Sequence, residues 1–143
     1  MKKIVLFSLL LFCGVTLFAQ QKQVVEFTEK THDFGVVKEE VNRISYDFVF
    51  KNIHSTPVTL KSVKASCGCT TPAWSKEPIA PGQTGTITVT YSTAGRPGMF
   101  TKSIAVVLSN GSEDFNETLY IKGEVTPKAQ PEEESNTIGE TAK

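Results

Sequence analysis

Ile44-Ser45-Tyr46-Asp47-Phe48-Val49-Phe50 decides the fold of this chain. Ile44, Tyr46, Phe48 and Phe50 fall on one face, Ser45, Asp47 and Lys51 on the other, with Val49 the exception. Successive side chains of a strand point to opposite faces, so this alternation marks a strand with one face buried. The same signal recurs down the chain. Ile87, Val89 and Tyr91 alternate with Thr86, Thr88 and Thr90. Phe100, Ile104, Val106 and Leu108 share a parity that only Lys102 interrupts, and Leu119, Ile121 and Val125 share another. Val24 to Phe27 is a short β-rich opener. Val58 and Leu60 are in one phase and Val63 and Ala65 in the other, which places a β-bulge near Lys61-Ser62.

Turn residues separate these runs: Asn52 to Pro57, Pro78 to Gly82, Gly95-Arg96-Pro97-Gly98 and Asn110-Gly111. Asn110-Gly111 reads as a hairpin pair suited to positive φ angles. No sustained 3.6-residue apolar period appears. The pattern predicts an all-β, immunoglobulin-like antiparallel β-sandwich of about seven strands.

The ends of the chain differ from its middle. Met1-Lys2-Lys3 precedes an apolar run from Ile4 to Phe18, with Ala19 after it. A basic start, a short apolar stretch and a small residue form the pattern of a secretory signal peptide, expected to be cleaved to leave Gln20 first. The run is shorter than the roughly 20 residues of a membrane span. Cys13 lies mid-run after Phe12, which does not suit a lipoprotein site. Residues 1–19 are therefore expected to be a signal, 20–126 the sandwich, and 127–143 a disordered acidic and polar C-terminal tail without the apolar residues to build a core. The expected location is the periplasm or cell envelope of a gram-negative bacterium, with no transmembrane segment after cleavage.

Loss of residues 1–19 removes Lys2 and Lys3 and no acid, leaving 13 basic and 15 acidic side chains. That balance holds no basic excess to attract nucleic acid or an anionic membrane.

No local pattern assembles a catalytic centre. His32 and His54 lack a neighbouring signature of nucleophile and orienting carboxylate. Asp33-Phe34-Gly35 matches a kinase tripeptide in letters only, since the other kinase elements are missing; Phe34 reads as a core anchor and Gly35 as a bend. There is no phosphate-cradling glycine loop. Asn110-Gly111-Ser112 and Asn116-Glu117-Thr118 match the N-glycosylation pattern, which matters only in a host that modifies it. The expectation is no enzyme, no catalytic residue and no cofactor.

The sharpest chemical feature is Cys67-Gly68-Cys69. Three chemistries fit it: a local disulfide, a soft-metal pair and free thiols. Two thiolates suit Cu(I). Zinc needs two more ligands, and His32, His54 and Met99, the obvious donors, are distant in sequence. A disulfide across a three-residue loop gains only about 1.6 kcal/mol from chain entropy, so global stability is a poor reason for one. Export would place both sulfurs in an oxidising space with no other mature cysteine, and an oxidised pair is the expectation there. Gly68 is expected to permit the tight turn.

Several segments together resemble a known family. Asp33-Phe34-Gly35-Val36-Val37, Phe48, Phe50, Asn52 and Pro57-Val58-x-Leu60 resemble the start of Hydin-like and major-sperm-protein-like domains. Ile79-Ala80-Pro81-Gly82, Ile87/Val89/Tyr91, Gly98, Phe100 and Gly123-x-Val125 agree with that resemblance. Ser66-Cys67-Gly68-Cys69-Thr70-Thr71-Pro72 and Gly95-Arg96-Pro97-Gly98 look like one subgroup, the exported bacterial domain of unknown function 1573 family. The likeness runs from about Val24 to Val125. It departs at Glu39-Glu40-Val41, where a glycine would be expected. The resemblance implies a PapD-like immunoglobulin fold and no assigned activity. The expected function is a protein-binding or assembly module with another envelope protein as partner. The alternative is a copper-binding or thiol-redox accessory protein using Cys67 and Cys69.

Overall fold

A computed structural model of the protein describes residues 23–129. The expected signal, residues 1–19, and residues 130–143 of the expected tail lie outside the described residues. Eight strands form: β1 Val25–Phe27, β2 Thr31–Lys38, β3 Arg43–Asn52, β4 Thr59–Ala65, β5 Thr70–Trp74, β6 Thr84–Ser92, β7 Gly98–Ser109 and β8 Asp114–Thr126. They make two four-stranded sheets in the orders β1-β3-β6-β5 and β2-β8-β7-β4. The all-β immunoglobulin-like sandwich expected from the alternation is the architecture found.

Two details refine that picture. The strands among the described residues number eight, close to the seven or so expected, and one pairing, β2 with β8, is parallel within otherwise antiparallel sheets. The two strands that alternation does not reveal are β2 and β5. In β2 the register slips between Asp33 and Val36, which breaks the period of two. β5 contains Pro72, whose lack of an N–H is tolerated because β5 is an edge strand.

The inner faces are as the pattern predicts. Phe48, Phe50, Ile87, Val89, Ile104, Val106, Leu119 and Ile121 are all buried. Ile44 and Tyr46, expected with them, are only partly buried. The reason is local: β1 pairs with only Phe50 to Asn52, so the first half of β3 has no strand over it on that side. Val49, the exception in the pattern, faces outward at 38% exposure. The bulge expected near Lys61-Ser62 is present as a register slip between Leu60 and Ser62.

The turns follow their chemistry with two adjustments. At the β7–β8 hairpin only Gly111 has positive φ, at 92°. Asn110 instead accepts hydrogen bonds through Oδ1 from the backbone of Ser112 and Glu113, at 2.9 and 2.8 Å. At the turn where a glycine was expected, Glu39–Val41 form one turn of 3₁₀ helix and Asn42 takes a positive φ, 64°. Asparagine tolerates that region better than most residues. No helix among the described residues is long and apolar enough to cross a membrane.

Candidate functional site

Three places on the sandwich hold chemistry-bearing side chains. The first is the corner where the chain leaves β4 in one sheet and enters β5 in the other. Cys67 and Cys69 lie on this crossing and are joined by a disulfide, with Cα atoms 5.3 Å apart. Backbone hydrogen bonds grip the corner on both sides. Ser66 N–H donates to Ser103 O at 2.9 Å, Thr70 N–H to Cys67 O at 3.3 Å and Ser92 N–H to Cys69 O at 2.9 Å. The Thr70 side chain, buried beneath the bridge, puts Oγ1 3.6 Å from Cys67 Sγ and 3.8 Å from Cys69 Sγ. Gly68 is not required sterically, contrary to expectation. Its φ is outside the left-handed region, and a Cβ there would meet nothing within 4 Å.

The Gly95-Arg96-Pro97-Gly98 loop meets the same corner. Arg96 Nη1 donates to Ser92 Oγ at 3.2 Å and to Ala94 O at 2.9 Å, and Ser92 is the residue whose N–H holds Cys69. The two segments that carry the subgroup resemblance are thus neighbours, linked through Ser92. The metal donors considered from sequence do not gather here. His54 lies in the turn after β3, His32 is on β2, and Met99 stands 89% exposed on β7. No group of three or more His, Cys, Asp and Glu side chains forms among the described residues.

The second place is an aromatic cluster at the opening between β2 and β3. His32 stacks flat on Tyr46, ring centroids 3.5 Å apart, and meets Phe34 edge-on at 4.7 Å. Glu29 Oε1 lies 3.0 Å from His32 Nδ1. The Tyr46 hydroxyl, and then the His32 hydrogen bond, hold the Glu29 carboxyl below its ordinary 4.5, while Glu29 raises Tyr46 above 10.0. Among the described residues, the one side-chain hydrogen bond of His32 is to Glu29. Glu29 lies three residues before His32 in the chain, whereas Tyr46 comes from β3, so the fold is what completes the cluster.

The third is a groove of about 750 Å³ at the end of β5 opposite the disulfide. β5 covers β6 only from Ile87 to Tyr91, leaving Thr84 to Thr86 without a strand partner on that side. Leu60, Trp74 and Ile79 supply apolar walls, and Gln83 and β6 threonines a polar rim. Trp74 Nε1 donates to Leu60 O at 3.3 Å, fixing the indole against β4. The Pro78–Gln83 wall is set by Asn52, which is fully buried. Its Nδ2 donates to Ile79 O at 2.8 Å and Thr56 O at 3.0 Å, and its Oδ1 accepts from His54 N–H at 2.9 Å. Asn52 read as turn punctuation in the sequence; its place at the end of a strongly apolar strand was the signal that it is buried.

Solved structures share this architecture. A PapD-like domain of human CEP192 superposes with a TM-score of 0.62 at 9% identity, over 74% of this chain and 87% of that one. A Porphyromonas gingivalis protein of unknown function gives 0.59 at 16% identity, over 71% of this chain and 46% of its own length. The YadV chaperone gives 0.51 at 12% identity, over 75% of this chain and 53% of its own. The chain therefore spans about half the length of the latter two. These identities establish the fold alone, a PapD-like immunoglobulin sandwich. No curated protein matches the sequence. Residues 25–125, the whole of the two sheets but for Thr126, match the family described as protein of unknown function (DUF1573), and the chain belongs to that family.

Proposed function

We propose that this protein is an exported binding module of the cell envelope, which docks an extended segment of another envelope protein in the groove beside β5. The carrying observation is the uncovered β6 edge at Thr84 to Thr86, set beside the apolar Leu60–Trp74–Ile79 walls. An unpaired strand edge offers main-chain hydrogen bonds, and an adjacent apolar pocket offers side-chain selectivity; together they suit recognition by strand addition. The groove volume is within the usual range for binding clefts. Glu77 is the one ionisable side chain lining it, which does not suit paired acid–base chemistry. The likeness to PapD-like domains and to a chaperone supports a binding role at the level of fold analogy. The export part of the reading rests on Met1 to Ala19.

Two experiments test it. A photo-crosslinking residue at Thr84 should yield one discrete adduct in cells, while the same residue at Lys122, on the outer face of the other sheet, yields none. Equal labelling at both positions, or none at Thr84, overturns the docking site. N-terminal sequencing of the protein from envelope fractions should start at or near Gln20; an intact Met1 overturns export.

A further inference from the structure

The surroundings of Cys67 and Cys69 differ from those of a structural staple in four ways. The bridge closes a loop of only three residues, so it removes little chain entropy from the unfolded state compared with a long-range bridge. The corner is already held by the Ser66–Ser103, Thr70–Cys67 and Ser92–Cys69 backbone hydrogen bonds, none of which needs the sulfurs. Both cysteines are partly exposed, and Gly68 between them puts no side chain over the bridge. Lastly, the Thr70 hydroxyl reaches both sulfurs from below. A hydroxyl donated to a thiolate stabilises the charged form and makes that sulfur a better leaving group.

We propose that Cys67–Cys69 is a thiol–disulfide exchange site, with an external thiol as co-reactant. The incoming thiolate attacks Cys67 Sγ, because Cys69 is the cysteine packed against the core. A bond forms between the incoming sulfur and Cys67 as the Cys67–Cys69 bond breaks. Cys69 leaves with the electron pair as a thiolate and accepts the Thr70 O–H. A second thiolate attacks the external sulfur of the mixed disulfide and releases Cys67 as a thiolate. Two thiols have then become one disulfide, and the cysteine pair has taken up their two electrons and, on protonation, two protons. The reduced pair passes electrons to a partner disulfide by the reverse of these steps.

Glutathione serves as the probe on the full chain, with alkylation and mass spectrometry as the readout. The pair should pass from oxidised to reduced across ordinary reduced-to-oxidised glutathione ratios, with the near-ultraviolet circular dichroism of the folded protein retained. Cys69→Ser should trap a glutathione adduct on Cys67, and Cys67→Ser should form its adduct at least about five-fold more slowly, the sulfur being less accessible. Thr70→Val should move the pH profile of thiol alkylation upward and slow reduction about five-fold, the loss of roughly one hydrogen bond. A pair that stays oxidised in excess glutathione while the urea-unfolded chain is reduced overturns the proposal. So does reduction that unfolds the protein, or a Thr70→Val profile that matches the wild type.

Discussion

Asn52 is the residue on which the groove end of the sandwich depends. Its amide makes three hydrogen bonds at zero exposure, to Thr56, Ile79 and His54. Asn52→Ala should lower stability by about 2–4 kcal/mol, because each buried group left unpaired costs ~1–3 kcal/mol. Urea unfolding measures this, and a loss under about 0.5 kcal/mol would mean the loops are held by other contacts. Asp33 shapes β2 in a comparable way, accepting Gly35 N–H at 2.8 Å and facing Lys122 Nζ at 3.3 Å. These two donors, the backbone one first, hold its carboxyl below its ordinary 3.8. A depressed folded value means the stabilisation is complete above the ordinary value and is lost as pH falls through the folded one. Asp33→Asn keeps an oxygen for Gly35 and removes the titration. Its urea midpoint should therefore fall less steeply than that of the wild type below about pH 4. Parallel curves for the two proteins would remove Asp33 from the acid response.

Among the elements, β2 shows why a strand can escape alternation. Its slip at Asp33 to Val36 carries Gly35 in the left-handed region, φ 63°, and brings the Gly35 carbonyl close to β8. A Cβ on Gly123 would sit 2.9 Å from Gly35 O and 3.0 Å from the Phe100 ring. The bulge and the glycine are therefore complementary, and Gly123→Ala should cost about 1–3 kcal/mol by overpacking. Gly68→Ala, where space is open, should stay within about 0.5 kcal/mol of the wild type. Equal effects in thermal unfolding would mean that β2 does not press on β8. The period of two revealed β3, β6, β7 and β8 because each pairs along most of its length with one face inward. It concealed β2 and β5, whose pairing with a neighbour overrides a glycine bulge and a proline.

At the scale of the molecule, stability comes from the apolar layer between the sheets. Phe48 is fully buried within it, and Phe48→Ala should cost about 3–5 kcal/mol by chemical denaturation. A loss under about 1 kcal/mol would place its ring outside the core. The sequence by itself determined the class of fold, eight of the ten core positions expected, the β4 bulge and the hairpin between β7 and β8. Alternation and turn residues act through near neighbours, so a linear reading captures them. Tertiary structure alone decided the parallel β2–β8 pair, the Glu29–His32–Tyr46 cluster, the Thr70 hydroxyl beneath the disulfide and the groove that β5 leaves along β6. The parallel pair, the Tyr46 side of the cluster and the groove join residues far apart in sequence, which near-neighbour patterns do not encode; Thr70 adjoins Cys69 in the chain, but only the folded corner turns its hydroxyl towards both sulfurs.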